Sequence, residues 1–267
     1  MIRSSVRCKG VAFAALAVLW LAPLAALAKD EGAPKHKPMV DPRADRILRN
    51  MSEYLAGAEQ FTVRADIRFD DVIASGQKIQ YTAVEDVAVR RPNRVYSEYD
   101  GDLGSKRLWY DGKSITMYDS TAGVYASSPM PGKIDAALDE LMKKHGFSPP
   151  LSDLLYSDPY AILKPHADYG LYLGEHAVDG VRCHHLAFVD PNIDWQIWVE
   201  DGSEVVPRKV VITYKTLPES PQFEAVLSDW DFGARLIDAQ FTPLIPPGTP
   251  KIPFVPAEIG PEGAAKK

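Results

Sequence analysis

Cysteine is almost absent from this chain: Cys8 and Cys183 are the only two in 267 residues. Cys8 sits in a basic N-terminal stretch with Arg3, Arg7 and Lys9, ahead of an uncharged apolar run from Val11 to Leu27 that closes on Ala26-Leu27-Ala28. This is the layout of a secretory signal, and Pro23 with the Ala-x-Ala ending favours cleavage after Ala28 over retention as a membrane anchor. Cleavage leaves Cys183 alone, so no internal disulfide is available, and Cys8 precedes the apolar run, which excludes it as the acylated cysteine of a lipoprotein signal. No adjacent arginines precede the run, which points to export of an unfolded chain rather than to the twin-arginine route. Positive charge is scarce as well. The mature chain of 239 residues keeps 27 basic residues against 36 acidic ones, a net charge of −9, which argues against nucleic acid as a partner.

Catalytic signatures are missing too. There is no glycine-rich phosphate loop, no Gly-x-Ser-x-Gly elbow and no His-Glu-x-x-His pair. His184 and His185 are neighbours on a strand and point to opposite faces, so they cannot easily share one ion. His36 lies in the leader, and His145, His166 and His176 fall at helix ends or loops without a carboxylate at ligand spacing. Cys183 reads as a small core residue, since neither neighbour is placed to act as a base. The expectation is therefore no metal, no cofactor and no enzyme.

What the chain does have is two kinds of periodicity. After a leader over residues 29–40, Asp41-Pro42 supplies a cap and a first-turn proline, and Ile47, Leu48, Met51, Tyr54, Leu55 and Ala58 then recur at helical spacing. From Phe61 the period changes to two, with Phe61, Val63, Ala65, Ile67 and Phe69 alternating against polar residues, as expected of a strand with one wet face. The alternation returns in Ile79, Tyr81 and Ala83, in Val87 and Val89, and around Tyr96 and Trp109. Four Asp-Gly pairs, at 100–101, 111–112, 179–180 and 201–202, read as tight hairpin turns and imply antiparallel pairing.

Ile134, Ala137, Leu138, Leu141 and Met142 predict a second helix, and Pro149-Pro150 introduces a short third one through Leu151, Leu154 and Leu155. Strands resume over 169–174, 181–189, 195–199, 208–217 and 223–230. A proline-rich stretch follows, and residues 257–267 are expected to be a disordered tail. The fold class is mainly β (α+β): one domain over residues 41–256, a single strongly curved antiparallel sheet forming an incomplete barrel covered by about three helices.

Several landmarks together carry a family resemblance. They are the initial helix running into the Phe61 strand, Leu108-Trp109-Tyr110-Asp111-Gly112, Pro150-Leu151-Ser152-Asp153-Leu154-Leu155, and the run from Val181-Arg182-Cys183-His184-His185 through Asp194-Trp195-Gln196-Ile197-Trp198 to Pro207-Arg208-Lys209 and Val211-Ile212-Thr213-Tyr214. The chain resembles a family of predicted periplasmic proteins that belongs with the lipoprotein carriers LolA and LolB and the mycobacterial lipoprotein LppX. The resemblance implies a half-barrel of about eleven strands with a helical lid, whose apolar concave face holds acyl chains. It also implies a periplasmic monomer that binds a lipid, a lipoprotein acyl chain or another hydrophobic ligand.

On this reading the residues facing the cavity are Phe61, Val63, Ile67, Phe69, Ile79, Tyr81, Val87, Val89, Trp109, Leu138, Leu141, Leu154, Trp195, Ile197, Val210, Ile212 and Tyr214. The plainer alternative is that they form a dry, packed core. The acidic pairs Asp70-Asp71 and Glu85-Asp86 read as strand ends in water. Glu85, however, shares the face of Tyr81 and Ala83, where it would hydrogen-bond a ligand headgroup or a buried arginine. A second functional reading is an interaction module resembling RseB that binds an envelope membrane protein without transferring lipid, and a third is a purely structural envelope protein.

Overall fold

The computed structural model describes residues 39–130, 132–145 and 149–254, so the expected secretory signal, most of the expected leader and the expected tail over 257–267 lie outside the described residues. Strand β1 (Met39–Val40) leads into helix α1 (Pro42–Gly57), where the Asp41 carboxylate accepts a hydrogen bond from the Arg43 N–H at 2.6 Å and Pro42 fills the first turn. The helical stripe is buried as its spacing requires, with Leu48, Met51 and Leu55 all at 0% exposure. Ser52 sits on the same face and donates to the Leu48 carbonyl at 2.8 Å, which keeps a buried hydroxyl satisfied.

The strands form two meanders. The first comprises β2 (Gln60–Val72), β3 (Lys78–Arg90), β4 (Arg94–Gly101), β5 (Gly104–Tyr110), β6 (Ser114–Asp119) and β7 (Val124–Pro129). After α2 (Ile134–His145), a 3-10 turn at Ser152–Leu155 and α3 (Pro159–Leu163), the second comprises β8 (Tyr169–Val178), β9 (Val181–Val189), β10 (Ile193–Glu200), β11 (Pro207–Tyr214) and β12 (Gln222–Asp231). Pairing of β12 with β2, which sets Phe223 opposite Phe69 and Ala225 opposite Ile67, joins them into one twelve-stranded sheet. The order is β1-β8-β9-β10-β11-β12-β2-β3-β4-β5-β6-β7, antiparallel throughout except for β1, which runs parallel to β8. The sheet is curved and not closed, and the helices cover its concave face.

The departures from the sequence reading have local causes. Met39 and Val40, assigned to the leader, pair with Tyr169 and Gly170 and extend the sheet. Gly170 makes this possible, because a Cβ there would lie 2.7 Å from the Phe188 ring and 2.9 Å from Val40. The expected third helix divides into the 3-10 turn at Ser152–Leu155 and α3, which begins anew at the Asp158-Pro159 cap. Of the Asp-Gly pairs, Asp179-Gly180 is a two-residue hairpin with φ of 47° and 82°, and Asp111-Gly112 turns β5 into β6 with the Asp111 carboxylate accepting from the Ser114 N–H at 2.8 Å. Asp100-Gly101 instead ends β4 inside the ladder, paired through Gly101 to Gly104, and Asp201-Gly202 opens a longer connection.

The proline-rich C-terminal stretch is a strap on the outer side of the sheet. Leu236 and Phe241, 7% and 0% exposed, pack with Ala88 and Tyr96. Farther along, the Tyr125 N–H donates to the Pro250 carbonyl at 3.0 Å and the Ile252 N–H to the Tyr125 carbonyl at 2.9 Å. The strap thereby satisfies backbone groups on the last strand, β7, which would otherwise be an open edge. Its anchor is Phe241, with the Arg90 guanidinium 5.1 Å from the ring centroid. Phe241→Ala is expected to lower stability by about 3–5 kcal/mol in urea unfolding. A loss within about 0.5 kcal/mol, the usual effect of a surface substitution, would show that the strap is not anchored there.

Candidate ligand-binding site

Two hollows lie between the concave face and its cover. The first, about 110 Å³, opens between α2 and the strands β2 to β6. The second, about 310 Å³, lies between the 149–154 segment and the strands β10 and β11. Pro149, Pro150, Leu151 and Leu154 line both, so this short segment is a partition between two adjoining hollows. Their linings are mainly apolar, with Glu85, Ser97 and Ser152 as the polar groups of the first and Asp153 and His166 of the second.

The cover is held at a few polar points. Arg91 donates from Nη1 to the Leu155 carbonyl at 2.7 Å and from Nη2 to the Leu55 carbonyl at 3.4 Å, tying the 3-10 turn to the end of α1. Tyr160 on α3 donates to the Asp45 carboxylate of α1 at 2.7 Å, and Lys164 pairs with the same carboxylate. Tyr110 reaches from β5 to the Gly132 carbonyl, just ahead of α2, at 2.9 Å. The indole N–H of Trp195 donates to the His166 carbonyl. Such bonds fix where the cover sits without filling the space under it.

Of the residues expected to face a cavity, Phe61, Val63, Val87, Leu138 and Leu141 line the first hollow together with Glu85. Trp195, Ile197, Val210, Ile212 and Tyr214 line the second, and Leu154 lines both. Ile67, Phe69 and Val89 share the concave face but are packed into solid core, at 5%, 2% and 0% exposure. Phe69 packs on the half-buried Tyr81 with ring centroids 5.8 Å apart, and Ile79 is half-buried toward the far end of the same strand; neither Tyr81 nor Ile79 borders a hollow.

Trp109 is a correction. It lies on the outer face with its ring 5.8 Å from that of Tyr96, while its neighbours Leu108 and Tyr110 point into the first hollow. Alternation leaves the phase open here because the outer face is itself apolar, with Tyr96 beside Trp109 packed against Leu236 and Phe241 of the strap. Trp230, missed by the sequence reading, enters the first hollow through a bulge. The register between Ser228 and Asp231 shifts, Asp229 adopts a φ of 52°, and Leu227 and Trp230 come to share one face. Val95, Ser97 and Ile115 also line this hollow, and period-two alternation along β4 and β6 would have found them.

The polar chemistry is sparse. Glu85 lies in the middle of β3 rather than at a strand end, facing Ala65 on one side and Tyr99 on the other. Its partner is Ser97, whose hydroxyl donates to Oε1 at 2.5 Å, and not an arginine. It lines the first hollow, and burial holds its pKa above the usual carboxylate value, with the Ser97 bond opposing and Asp86 adding to the rise. Burial, aided by Glu85, pushes the Tyr99 hydroxyl up to about 12. In the second hollow Asp153 is likewise raised by burial, against the pull of His166.

On the outer face, His185 stacks on Trp198 at 3.9 Å and its Nδ1 lies 3.0 Å from Nδ1 of His176, whereas His184 faces the other way, toward Tyr172 and Asp201. Cys183 is buried and its thiol is pushed up to about 11, mainly by burial and next by Glu200. Among the described residues no three His, Cys, Asp or Glu side chains converge as a metal site.

A carboxyl whose pKa is raised in the folded state stabilises the fold least when ionised, so its contribution falls as pH climbs from the unfolded value toward and beyond the folded one. Glu85→Gln is therefore expected to raise Tm by at least about 2 °C at pH 8 and to leave it nearly unchanged at pH 4, followed by thermal unfolding. A Tm lowered at both values would contradict the raised pKa.

Residues 44–255 match the family described as "Predicted periplasmic protein (DUF2092)". No protein of curated function matches the chain in sequence. Among solved structures it is similar to the lipoprotein LppX of Mycobacterium tuberculosis, at 15% identity and a TM-score of 0.45 over 73% of this chain and 98% of that one. It is also similar to LprF of Mycobacterium bovis, at 16% identity and 0.41 over 80% and 99%. A LolA superfamily protein of Nitrosomonas europaea follows at 13% identity and 0.35 over 75% and 97%. The match extends from α1 to the end of the strap and covers both hollows, and the chain belongs to the DUF2092 family of predicted periplasmic proteins.

Proposed function

We propose that this protein is a periplasmic binding or carrier protein for a lipid or another hydrophobic ligand, held in the apolar space between sheet and cover. The observation that carries the reading is the pair of adjoining hollows, floored by the concave strands and divided only by residues 149–154. An acyl chain threaded past that partition leaves water at a gain of about 0.8 kcal/mol per methylene, so eight buried methylenes contribute roughly 6 kcal/mol. That gain offsets the freedom a ligand loses on association, and affinity grows with each further methylene buried. Affinity of this kind asks for area and few polar groups, which suits a site whose lining offers no paired nucleophile and base.

A second reading, docking of an envelope protein, draws on β8. Beyond its pairing with β1 the strand has no further strand neighbour on that side among the described residues, and it carries Leu171 and Leu173 at 39% and 44% exposure. Cross-linking in the native envelope separates the two readings, since a stable protein partner without transferable lipid supports docking.

The binding reading is tested with the uncharged dye N-phenyl-1-naphthylamine. The delipidated protein is expected to enhance its fluorescence saturably, and Leu138→Trp, which fills the first hollow from α2, is expected to weaken uptake by about tenfold or more. A protein that takes up no dye, or a variant that binds as well as the parent, would contradict the proposal.

A further inference from the structure

Taken together, the two hollows are one-sided in charge. Each holds one carboxyl group in an otherwise apolar wall, Glu85 in the first and Asp153 in the second, and neither is lined by a lysine or arginine. The one basic ring at either, His166 in the second, is half exposed, with its Nδ1 3.0 Å from the Asp190 carboxylate. Glu85 stands among Val63, Ala65, Val87, Val95 and Leu108, with the Ser97 hydroxyl as its hydrogen-bonding partner. Ser97 uses its donor on Oε1, and among the described residues no hydrogen bond reaches the second carboxyl oxygen of this hollow-lining side chain.

A carboxyl group is an expensive thing to place in a greasy wall. A leucine would line the hollow better if the ligand were hydrocarbon alone, and an arginine or lysine would be required if the buried end were a carboxylate or phosphate. The group present suits the opposite chemistry. Protonated, it donates to and accepts from a hydroxyl or amide; ionised, it accepts from an ammonium in a charge-assisted bond. Against a buried anion it offers only repulsion, at a low local dielectric where repulsion is strong.

We infer that the ligand enters with a non-anionic, hydrogen-bond-donating group, a hydroxyl or an amine, which Glu85 receives inside the first hollow, and that amphiphiles whose buried end is a carboxylate or phosphate are rejected. This rests on the binding function proposed above and specifies its ligand class. Asp153 applies the same rule in the second hollow, so a chain that spans both hollows meets a carboxyl on each side of the partition. Selectivity here comes from an introduced penalty against the wrong headgroup as much as from a bond to the right one.

The test is displacement of N-phenyl-1-naphthylamine from the delipidated full-length mature protein at pH 7 by 1-dodecanol, dodecylamine and dodecanoate, three ligands with the same tail and different heads, each kept below its aggregation concentration. Dodecanol and dodecylamine are expected to displace the dye at concentrations at least about tenfold lower than dodecanoate. In Glu85→Leu the gap is expected to narrow to within about twofold, chiefly through better binding of dodecanoate, with thermal unfolding confirming that the variant is folded. Equal displacement by all three ligands in the parent protein, a preference for dodecanoate, or a gap unchanged in both Glu85→Leu and Asp153→Leu would overturn the inference while leaving hydrophobic binding in place. Failure of the parent protein to take up the dye would sink the binding function itself, and this inference with it.

Discussion

The structure turns on a mismatch of areas. A curved sheet of twelve strands presents a broad concave face, and its cover consists of one sixteen-residue helix, one of twelve, one of five and a few 3-10 turns. The long helix seals its part of the sheet completely, which is why Leu48, Met51 and Leu55 are fully buried. Beneath α2 and residues 149–155 the cover leaves gaps over the apolar strands, and the two hollows lie there. Protein interiors ordinarily close such gaps, since each costs dispersion contacts on all its walls. Here the cover is tied in place by Arg91, Tyr160 and Tyr110, and the gaps lie beneath it.

The same constraint explains the polar groups. With the walls committed to hydrocarbon, every polar side chain admitted to them carries a penalty, and the two carboxyls are the costly exceptions. Glu85 keeps one partner, Ser97, and faces the hollow with the rest. On the outer face polar groups are spent differently: Arg64 with Asp86, Arg68 and Lys209 with Glu224, and Arg107 with Glu98 form cross-strand pairs, exposed or half-buried, which stabilise register weakly.

Much of this was legible before any coordinates. The Asp41-Pro42 cap, the 3.6-residue stripe from Ile47 to Ala58 and the period-two runs of β2 and β3 are local signals, and they give α1 and the central strands directly. The inner lining of β10 and β11 followed from Trp195, Ile197, Val210, Ile212 and Tyr214 for the same reason. What was hidden depends on pieces distant in sequence. Trp109 was assigned to the wrong face because alternation gives a phase only if one face is wet, and the strap from Leu236 to Phe241 makes both faces apolar there. Trp230 needed the bulge at Asp229, which no periodicity announces. Pairing of Met39 and Val40 with β8 depends on Gly170, far along the chain, leaving room for Phe188. Glu85 was placed on the correct face, yet its partner is a serine on the next strand rather than an arginine, and pairing register rather than sequence decides that.

The central claim is that the apolar space under the cover exists to hold a guest. Native mass spectrometry of the protein, isolated without detergent from the periplasm of a cell that exports it, addresses this most directly. The account predicts a fraction of molecules heavier than the mature chain by the mass of one amphiphile, released on mild collisional activation. A single species at the mass of the bare polypeptide, from a preparation in which a known lipid-binding control retains its ligand, would contradict it.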